Sequence, residues 1–418
     1  MNPLKPEAIT LSVYDSALST FAVCWQTAEY GSPVLQYTDE EDSCFTRATE
    51  VDGICSEGMG SVKNSALFEN PDRSRKYLFR VGDKSGVFSE PAVCRFPSLD
   101  ENKLKFIVIT DTQDEEHHGE WFRYPSLDAK KLHGDAELII HTGDMVQEGG
   151  NAEMWRLMLE NTREYFLSMP MAPLSGNHDY WEWYLHGYTN ILDRHYHIDY
   201  PPQNTKNGIY YSFDCGPAHF TVISTGDSME TDKNGVLPSQ LEWVKKDIRS
   251  TDKKWKIVCI HNPLYSPGKY GVRSPLDSVA VALREQFNAF FAEEKVDLVL
   301  CGHDHVYAQT YPINASGKPI KDYDHEIITK DGKEYKAALS PAGPIHLESG
   351  CSGHQFRFIE PNTPAEKFEV FEVMKPMAWG AVSYSAVEID GDTLTVSCRR
   401  ISVNDGSCLE EDCFAIKK

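Results

Sequence analysis

Short stretches in which apolar and polar residues alternate occupy the first 98 positions of the chain. Residues 21–25 and 77–81 follow this period of two, and turn-forming sequences such as Gly31-Ser32-Pro33 separate the stretches. Alternation between turns is typical of antiparallel strands that bury one face. We therefore predict a small antiparallel β-sandwich over residues 1–98, ended by a proline-marked polar linker at 96–100.

The pattern changes after residue 104, where compact apolar runs replace the alternation. Four such runs lie at 106–109, 138–140, 257–260 and 298–300. Continuous apolar runs of this length are typical of strands covered on both faces. Amphipathic helices are predicted between them, one beginning at Pro238 and another carrying Leu283 and Phe287 on its apolar face. Strands and helices in this order predict a layered α/β domain over residues 99–418.

The last part of this domain is rich in predicted strands. Residues 381–389 and 393–398 flank the turn Asp390-Gly391, a pattern that predicts a β-hairpin. Residues 318–335 are polar and charged, and we predict only a connection there.

The composition is that of a globular protein with a substantial core. Of 418 residues, 41% are hydrophobic and 25% are charged, which excludes collagen-like, coiled-coil and broadly disordered classes. The length predicts two or three domains. The net charge of −22 would repel phosphate backbones and anionic lipids, so we expect no nucleic-acid partner and no membrane partner.

Two further features bear on the cellular compartment. No window of about 18 apolar residues could cross a bilayer, and the N-terminal residues lack the apolar run of a signal peptide. The predicted location is the cytoplasm, and secretion stays open if a leader was removed. The eleven cysteines are an odd number and several lie in apolar runs, which favours reduced thiols. One or two bridges stay open, between Cys44 and Cys55 or between Cys408 and Cys413.

Polar residues of the types that bind metal ions follow five predicted strands, the four runs above and a fifth at 171–175. In chain order they are Asp111 and Gln113, Asp144, Asn177 and His178, His261, and His303 and His305. Ligands of open α/β sheets bind beyond the carboxyl ends of the strands. The five strand ends are therefore expected to converge on one site.

The chemistry of this set is that of a divalent metal centre. Carboxylates, an amide oxygen and imidazoles bind hard or borderline ions, and a carboxylate can bridge two of them. Two ions roughly 3.5–4 Å apart can bind a phosphoryl group and activate a water. Taken singly, Asp144 would fit a helix N-cap and His261 a buried core histidine, but the ordered series favours a metal centre. Glycines precede Asp144, Asn177 and His303, and we expect them to allow tight turns.

The series D-x-x, G-D, G-N-H-D, H and G-H-x-H resembles that of the calcineurin-like metallophosphoesterase superfamily. The sandwich ahead of it and the segments 261–265 and 302–307 resemble purple acid phosphatase-like members with a fibronectin type III-like N-terminal domain. The resemblance covers nearly the whole chain. It implies an α+β or layered α/β catalytic domain of two packed mixed β-sheets flanked by helices, with two metal ions in its site.

Carried over by position, the resemblance assigns a role to each residue. Asp111 and His305 would bind one ion, Asp144 would bridge, and the other ion would be bound by Asn177, His261 and His303. His178 would contact the phosphoryl oxygens and support protonation of the leaving group, which suits an imidazole. The implied catalytic residues are thus His178, Asp144 and Asn177.

Gln113 is the place where the sequence departs from the family pattern. Many members of the superfamily carry a histidine there, and purple acid phosphatases carry a tyrosine three residues after the bridging aspartate, where this chain has Gln147. The first ion therefore lacks one strong ligand unless the amide oxygen of Gln113 coordinates it. Manganese or magnesium then stand beside zinc and iron as candidates, as two divalent or mixed-valence ions, and an iron–tyrosinate colour is not expected.

The predicted function is hydrolysis of a small-molecule phosphoester by direct attack of metal-bound hydroxide, without a covalent phosphoenzyme. Phosphomonoesters are favoured. Diesters or pyrophosphates stay open, because Lys269 and Arg273 could each be a phosphate-binding cation or an ordinary surface residue. A second hypothesis is a catalytically weak metal-binding protein that acts through its sandwich, supported by Gln113 and opposed by His178. The sequence identifies no protein partner for the sandwich.

Overall fold

The structure is a computed structural model. It describes residues 2–418 except 59, 115, 182–188, 191, 200–209, 227–234, 354–357 and 378–379. The strands are β1 Glu7–Val13, β2 Thr20–Thr27, β3 Pro33–Asp39, β4 Thr49–Asp52, β5 Ile54–Glu57, β6 Val62–Glu69, β7 Tyr77–Asp83, β8 Val87–Phe88, β9 Ala92–Cys94, β10 Lys103–Ile109, β11 Leu138–His141, β12 Met171–Pro173, β13 Tyr180–Trp181, β14 Thr189–Asn190, β15 Tyr211–Cys215, β16 Ala218–Ile223, β17 Trp255–Ile260, β18 Leu298–Cys301, β19 Val306–Thr310, β20 His325–Lys330, β21 Lys333–Leu339, β22 Ile345–Ser349, β23 Phe371–Pro376, β24 Ala381–Asp390, β25 Thr393–Ser402 and β26 Cys408–Lys417. The α-helices are α1 Arg123–Leu132, α2 Ala152–Asn161, α3 Arg163–Phe166, α4 Leu192–His195, α5 Pro238–Ser250, α6 Lys269–Val272 and α7 Ser278–Glu293.

Two large mixed sheets carry the fold. The first has twelve strands in the order β20-β21-β26-β25-β24-β10-β11-β12-β1-β2-β6-β5, and β10, β11 and β12 are parallel at its centre. The second has the order β15-β16-β17-β18-β22-β19-β23, with β16, β17, β18 and β22 parallel. The four continuous apolar runs predicted from the sequence lie in β10, β11, β17 and β18, which pair in parallel and are covered on both faces.

The two sheets pack face to face, and helices cover them. Phe106 of β10 meets Phe220 of β16 edge to face, with ring centroids 5.3 Å apart. Val244 of α5 and Phe287 of α7 are buried in a second core cluster together with Val258 of β17. Helices α2 and α3 pack against β1 of the first sheet. The predicted fold class, two packed mixed sheets flanked by helices behind an N-terminal β-sandwich, is thereby confirmed.

The N-terminal sandwich is built on the end of the first sheet. Its second layer is the sheet β4-β3-β7-β8, to which β9 adds on β7, and Phe68 and Phe79 meet across the two layers with centroids 5.9 Å apart. Strand β1 pairs in parallel with β12 through Ser12 and Met171. The sandwich therefore shares a continuous sheet with the strands that follow residue 104. The division into residues 1–98 and 99–418 stays a prediction.

Strand β2 differs from the expectation of one buried face. Ala22 and Cys24 are as fully buried as Phe21 and Val23. The residues around α4 cover this second face: Gln26 Nε2 donates a hydrogen bond to the Arg194 carbonyl at 2.7 Å. The alternation visible in the sequence marks only the face toward the sandwich interior, because the covering segment is far away along the chain.

Residues 318–335 also differ from the prediction. They contain β20 and the start of β21, an antiparallel pair at the edge of the first sheet. Asp331 and Gly332 form the turn with φ of +51° and +75°, as two-residue hairpin turns require. Residues of β20 alternate between exposed and half-buried, because an edge strand buries little. The segment therefore lacks the apolar signature used to predict strands.

Other local predictions are confirmed. Helix α5 has Pro238 in its first turn, and the hairpin of β24 and β25 pairs Asp390 with Thr393 around Gly391. All eleven cysteines are free thiols, and seven of them are buried, so neither open bridge forms. Among the helices that the structure describes, none is long and apolar enough to cross a membrane.

Candidate metal centre

The candidate residues lie in loops that follow five parallel strands. Asp111 follows β10, Asp144 follows β11 and Asn177 follows β12, all in the first sheet, whereas His261 follows β17 and His303 follows β18 in the second. Backbone hydrogen bonds tie the loops together within each sheet: the Asp111 amide donates to the Gly143 carbonyl at 3.0 Å, and the Gly302 amide donates to the His261 carbonyl at 3.1 Å. The site lies where the carboxyl ends of the two sheets meet.

Two groups of side chains in this site could each hold a metal ion. Asp144, His261 and His303 form one, and Asp111, Asp144 and His305 form the other, with the ligand atoms of each group within 4.8 Å of one another. Asp144 Oδ2 is 3.3 Å from His261 Nε2, and Asp111 Oδ1 is 3.2 Å from His305 Nε2. Asp144 is the member that both groups share.

Asn177 and His178 stand beside the first group. Asn177 Oδ1 is 3.3 Å from His261 Nε2. The His178 backbone amide donates to Asp144 Oδ1 at 2.8 Å, and its Nδ1 is 2.8 Å from the carbonyl oxygen of Gln147. Since a carbonyl only accepts, the His178 proton lies on Nδ1.

Gln113 lies inside the site, next to the group formed by Asp111, Asp144 and His305. It is fully buried, and its Nε2 is 3.1 Å from Asp144 Oδ2 and 3.5 Å from His305 Nε2. Its Oε1 has no hydrogen-bond partner among the described residues. Gln113 thus lies beside the predicted ligands Asp144 and His305, with its amide nitrogen toward them. Whether it coordinates stays a prediction.

The charges of the site are strongly coupled. Burial alone would raise the pKa of Asp144, but the imidazoles of His261 and His178 lower this pKa well below its usual value. Burial likewise opposes protonation of His261, but Asp144 outweighs it and raises the His261 pKa to about 9. In the absence of metal, protons thus take the place that cations would fill between these buried groups.

Backbone strain is concentrated at the same residues. Asp111, Asp144, His303 and His305 have φ of +50°, +55°, +77° and +54°, in the left-handed region that non-glycine residues rarely occupy. Such strain persists only where the surrounding structure over-determines it, and it clusters at functional sites.

The glycines before the ligands act in two ways. Gly143 has φ of +99°, as expected for a tight turn. Gly176 has an extended backbone with φ of −91° and ψ of −175°. A Cβ there would lie 2.1 Å from Asp144 Oδ1, and one at Gly302 would lie 1.9 Å from Thr110 Oγ1. At positions 176 and 302, glycine is therefore required because a side chain would clash with Asp144 and with Thr110. This corrects the expectation that all three glycines serve a tight turn.

Asp179 is a positioning residue that the sequence analysis missed. Its buried carboxylate accepts hydrogen bonds at 2.8 Å from the backbone amides of Asp144, Met145 and Gly176. Burial and the neighbouring charge of Asp144 raise its pKa to about 7. It joins the loops that follow β11 and β12. Its place as the last letter of G-N-H-D was the available signal.

The candidate cations differ in placement. The Tyr270 ring packs against His303 with centroids 4.5 Å apart, and Lys269 Nζ lies 4.6 Å from the centre of the Tyr270 ring. Arg273 is exposed at the end of α6. Lys269 thus lies against the aromatic ring that packs on the predicted ligand His303.

Comparison with known proteins agrees with this geometry. Residues 104–307 match the family model described as "Calcineurin-like phosphoesterase". The chain therefore carries a calcineurin-like phosphoesterase domain, and the predicted superfamily is confirmed.

Individual relatives extend the comparison over the rest of the chain. "Acid phosphatase type 7" of Homo sapiens is 24% identical over 326 residues, 74% of this chain and 62% of that protein. "Purple acid phosphatase 21" of Arabidopsis thaliana is 21% identical over 70% of this chain and 60% of that protein. The chain thus matches about three fifths of the length of these relatives. The Danio rerio "Acid phosphatase type 7" is 22% identical over 90% of this chain and 82% of its own length.

Two solved structures share the fold. A purple acid phosphatase from yellow lupin seeds (Lupinus luteus) superposes with a TM-score of 0.70 at 16% identity, covering 100% of this chain and 75% of its own. A structure described as PhoD has a TM-score of 0.71 at 12% identity and covers 99% and 91%. At these identities the likeness shows the fold alone.

Proposed function

We propose that this protein is a phosphoric ester hydrolase that uses two divalent metal ions and prefers phosphomonoesters. The observation that carries the proposal is the sharing of Asp144 between two groups of ligand atoms, each within 4.8 Å. A carboxylate with two oxygens can bridge two cations, whereas a purely structural ion pair has no need of a second group.

The residues present fit such ions. Asp111 and Asp144 are buried carboxylates, at 0% and 1% exposure, and each lies close to an imidazole nitrogen, a group that can bind a metal ion once it has lost its proton. Buried charges in proteins are paired or coordinate metals. Gln113 could add an oxygen donor only if its amide is turned over, because Nε2 is the atom that now faces Asp144 and His305. Oxygen and imidazole donors together suit manganese, magnesium, zinc or iron.

The proposed division of ligands follows the two groups. Asp111 and His305 would hold one ion, His261, His303 and Asn177 the other, and Asp144 both. When bound, a pair of divalent ions supplies Lewis acidity toward phosphoryl oxygens and lowers the pKa of a bound water. The other parts of the reaction fall to residues of the chain.

His178 is the residue proposed to act on the leaving group. Its Nδ1–H donates to the Gln147 carbonyl, and the proposed action on the substrate is therefore assigned to Nε2. The backbone amide of His178 is held by Asp144, which fixes the imidazole beside the bridging carboxylate. A protonated Nε2 can stabilise phosphoryl oxygens and donate a proton to the leaving oxygen.

The preference for monoesters rests on two supports. The curated relatives named above are described as acid phosphatases. Lys269 is positioned by Tyr270, whose ring contacts His303, and a monoester dianion needs more cationic contacts than a diester anion. A small phosphomonoester is therefore the proposed substrate class.

Metal analysis combined with a substrate panel tests the proposal. The purified protein should contain two ions per chain and should hydrolyse p-nitrophenyl phosphate with a higher kcat/KM than bis(p-nitrophenyl) phosphate or ADP. Faster cleavage of the diester or of ADP would replace the monoesterase proposal with a diesterase or pyrophosphatase. Two bound ions without hydrolysis of any compound would favour the binding-protein hypothesis.

His178→Ala separates catalysis from metal binding. We expect both ions to be retained and turnover to fall by about 10²–10⁴-fold, the range for loss of an acid–base group. The loss should shrink for leaving groups that need little protonation. His325→Ala is a matched control, because that exposed histidine also has Nδ1 near a backbone carbonyl, 3.2 Å from Tyr323 O. Loss of metal in His178→Ala would place His178 among the ligands instead.

A further inference from the structure

A cavity of about 440 Å³ lies between the sandwich and the helices of the first sheet. It is bordered by β9 from the sandwich, by the carboxyl end of α1 and by α3. We call it the junction cavity. The proposed hydrolase site does not include any of its lining residues.

The junction cavity is cationic in an acidic protein. Four basic side chains line it, Lys76, Arg95, Lys130 and Arg163; Lys130 is paired with the lining residue Glu164 and Lys76 with Glu40, which leaves the two arginines as the main source of positive charge. The chain as a whole has a net charge of −22. A cluster of cations in such a chain concentrates positive potential in one place.

Two of the cations are partly buried without a carboxylate partner. Within the described part of the chain, neither Arg95 nor Arg163 forms a salt bridge, and burial lowers the pKa of both guanidinium groups. Each donates to one backbone carbonyl, Arg95 to Ala136 and Arg163 to Glu90. A guanidinium has five N–H donors. Most of the hydrogen-bonding capacity on each group is therefore left for another acceptor.

The other lining residues include a histidine and two apolar side chains. His133 borders the cavity, and its buried Nε2 has no hydrogen-bond partner among the described residues. Val93 and Met169 also line it, and Val93 is 41% exposed. Exposed apolar surface next to unpaired cations suits a ligand with a charged group and an apolar body.

The cavity lies at the opposite end of the strands from the metal centre. Ala136, which accepts from Arg95, precedes β11, and Ser168 and Met169 precede β12. Asp144 and Asn177 follow the other ends of these same two strands. A ligand in the junction cavity is therefore separate from the substrate of the proposed reaction.

We propose that the junction cavity binds an organic anion, with its phosphate, sulfonate or carboxylate group between Arg95 and Arg163 and its apolar body against Val93 and Met169. Lys76 and Lys130, which pair with Glu40 and Glu164, stand at the entrance and add to the positive potential only as far as these pairs leave their charge unscreened. The inference goes beyond the proposed hydrolase activity and does not depend on it.

Isothermal titration calorimetry with 1-naphthalenesulfonate tests the proposal, because a sulfonate is not a phosphoester and cannot be hydrolysed at the metal centre. We expect one site per chain with affinity in the micromolar range, and binding of inorganic sulfate about tenfold weaker or worse because the apolar contact is missing. Arg163→Gln and Lys130→Gln should each weaken naphthalenesulfonate binding, the former by about tenfold or more, since a charge-assisted hydrogen bond is lost.

Arg156→Gln is the matched control. Arg156 lies in α2, close to Arg163 in the chain, but it is paired with Glu153 and Glu160 and does not line the cavity. Its substitution should leave binding within twofold of the native protein. If circular dichroism shows that Arg163→Gln does not fold, Lys130→Gln carries the test, because Lys130 is 56% exposed and tolerates replacement. Absence of naphthalenesulfonate binding, equal binding of sulfate, or native affinity in the cavity variants would each overturn the proposal.

Discussion

Replacing Gly176 with alanine would place a methyl group against the carboxylate that both candidate metal groups share. The added Cβ would lie 2.1 Å from Asp144 Oδ1 and 2.5 Å from the Asp144 backbone nitrogen, whereas ordinary contact begins at about 3.4 Å. The backbone of Gly176 is extended, so alanine itself is not strained there. The perturbation is purely one of space.

The overlap sets the size of the effect. To restore ordinary contact, the carboxylate must move by roughly 1 Å, and a displacement of that size in a catalytic group costs about 10²-fold in rate. Overpacking of a buried site costs typically about 1–3 kcal/mol of stability. We therefore expect kcat/KM to fall by about two orders of magnitude while the protein still folds.

The assay combines kcat/KM for p-nitrophenyl phosphate, metal content after dialysis, and the free energy of unfolding in urea. Gly31→Ala is the matched control, because its Cβ would also meet a carboxylate oxygen, Asp83 Oδ2 at 2.4 Å, but in the sandwich. The control should lose stability and keep its ions and its rate. Native rate and metal content in Gly176→Ala would refute the placement of Asp144 at the shared position.

Three further outcomes are expected. Asp144→Asn should lower metal content and reduce kcat/KM by more than about 10²-fold, because both ions lose a negative ligand. The control Asp247→Asn should change stability only, because the Asp247 carboxylate lies outside the site, 3.0 Å from His219. An Asp144→Asn protein that keeps both its metal and its activity would contradict the bridging role. In chelator competition, Gln113→His should raise the affinity for zinc and Gln113→Ala should lower it only modestly. If both ions bind with equal affinity and neither substitution changes it, Gln113 is excluded as a ligand. Burial lowers the pKa of His219, but its hydrogen bonds to carboxylates raise this pKa from 6.5 to about 9. The stabilisation from His219 should be complete below pH 6.5 and lost as the pH rises through 9. The difference in unfolding free energy between the native protein and His219→Gln should therefore fall by on the order of 3 kcal/mol over that interval. A difference that does not change with pH would contradict the pairing of His219 with the carboxylates.

The candidate site was predictable because each of its ligand residues directly follows a strand that the local sequence pattern already indicates. Each ligand type follows an apolar run, and parallel strands align their carboxyl ends at one edge. The structure brings Asp111, Asp144, His261, His303 and His305 within reach of one another. Asp179 was not predicted: its place in G-N-H-D marked it, but its role depends on backbone amides of the loop after β11, which no local pattern reveals.

Local pattern also determined much of the fold. Continuous apolar runs identified the parallel strands β10, β11, β17 and β18. Pro238 marked the start of α5, and Asp390-Gly391 marked a hairpin turn, because each signal depends on residues within a few positions. The edge hairpin of β20 and β21 escaped prediction for a related reason. It buries little, so its residues carry no apolar signature.

What the tertiary structure alone decided concerns contacts between distant segments. The parallel pairing of β1 with β12 joins the sandwich to the central sheet, and the covering of the second face of β2 depends on residues near 194. The gathering of Arg95 and Arg163 around the junction cavity is of the same kind. Such contacts follow from the total burial that the whole chain achieves rather than from the period of any one segment, so no short stretch of sequence specifies them.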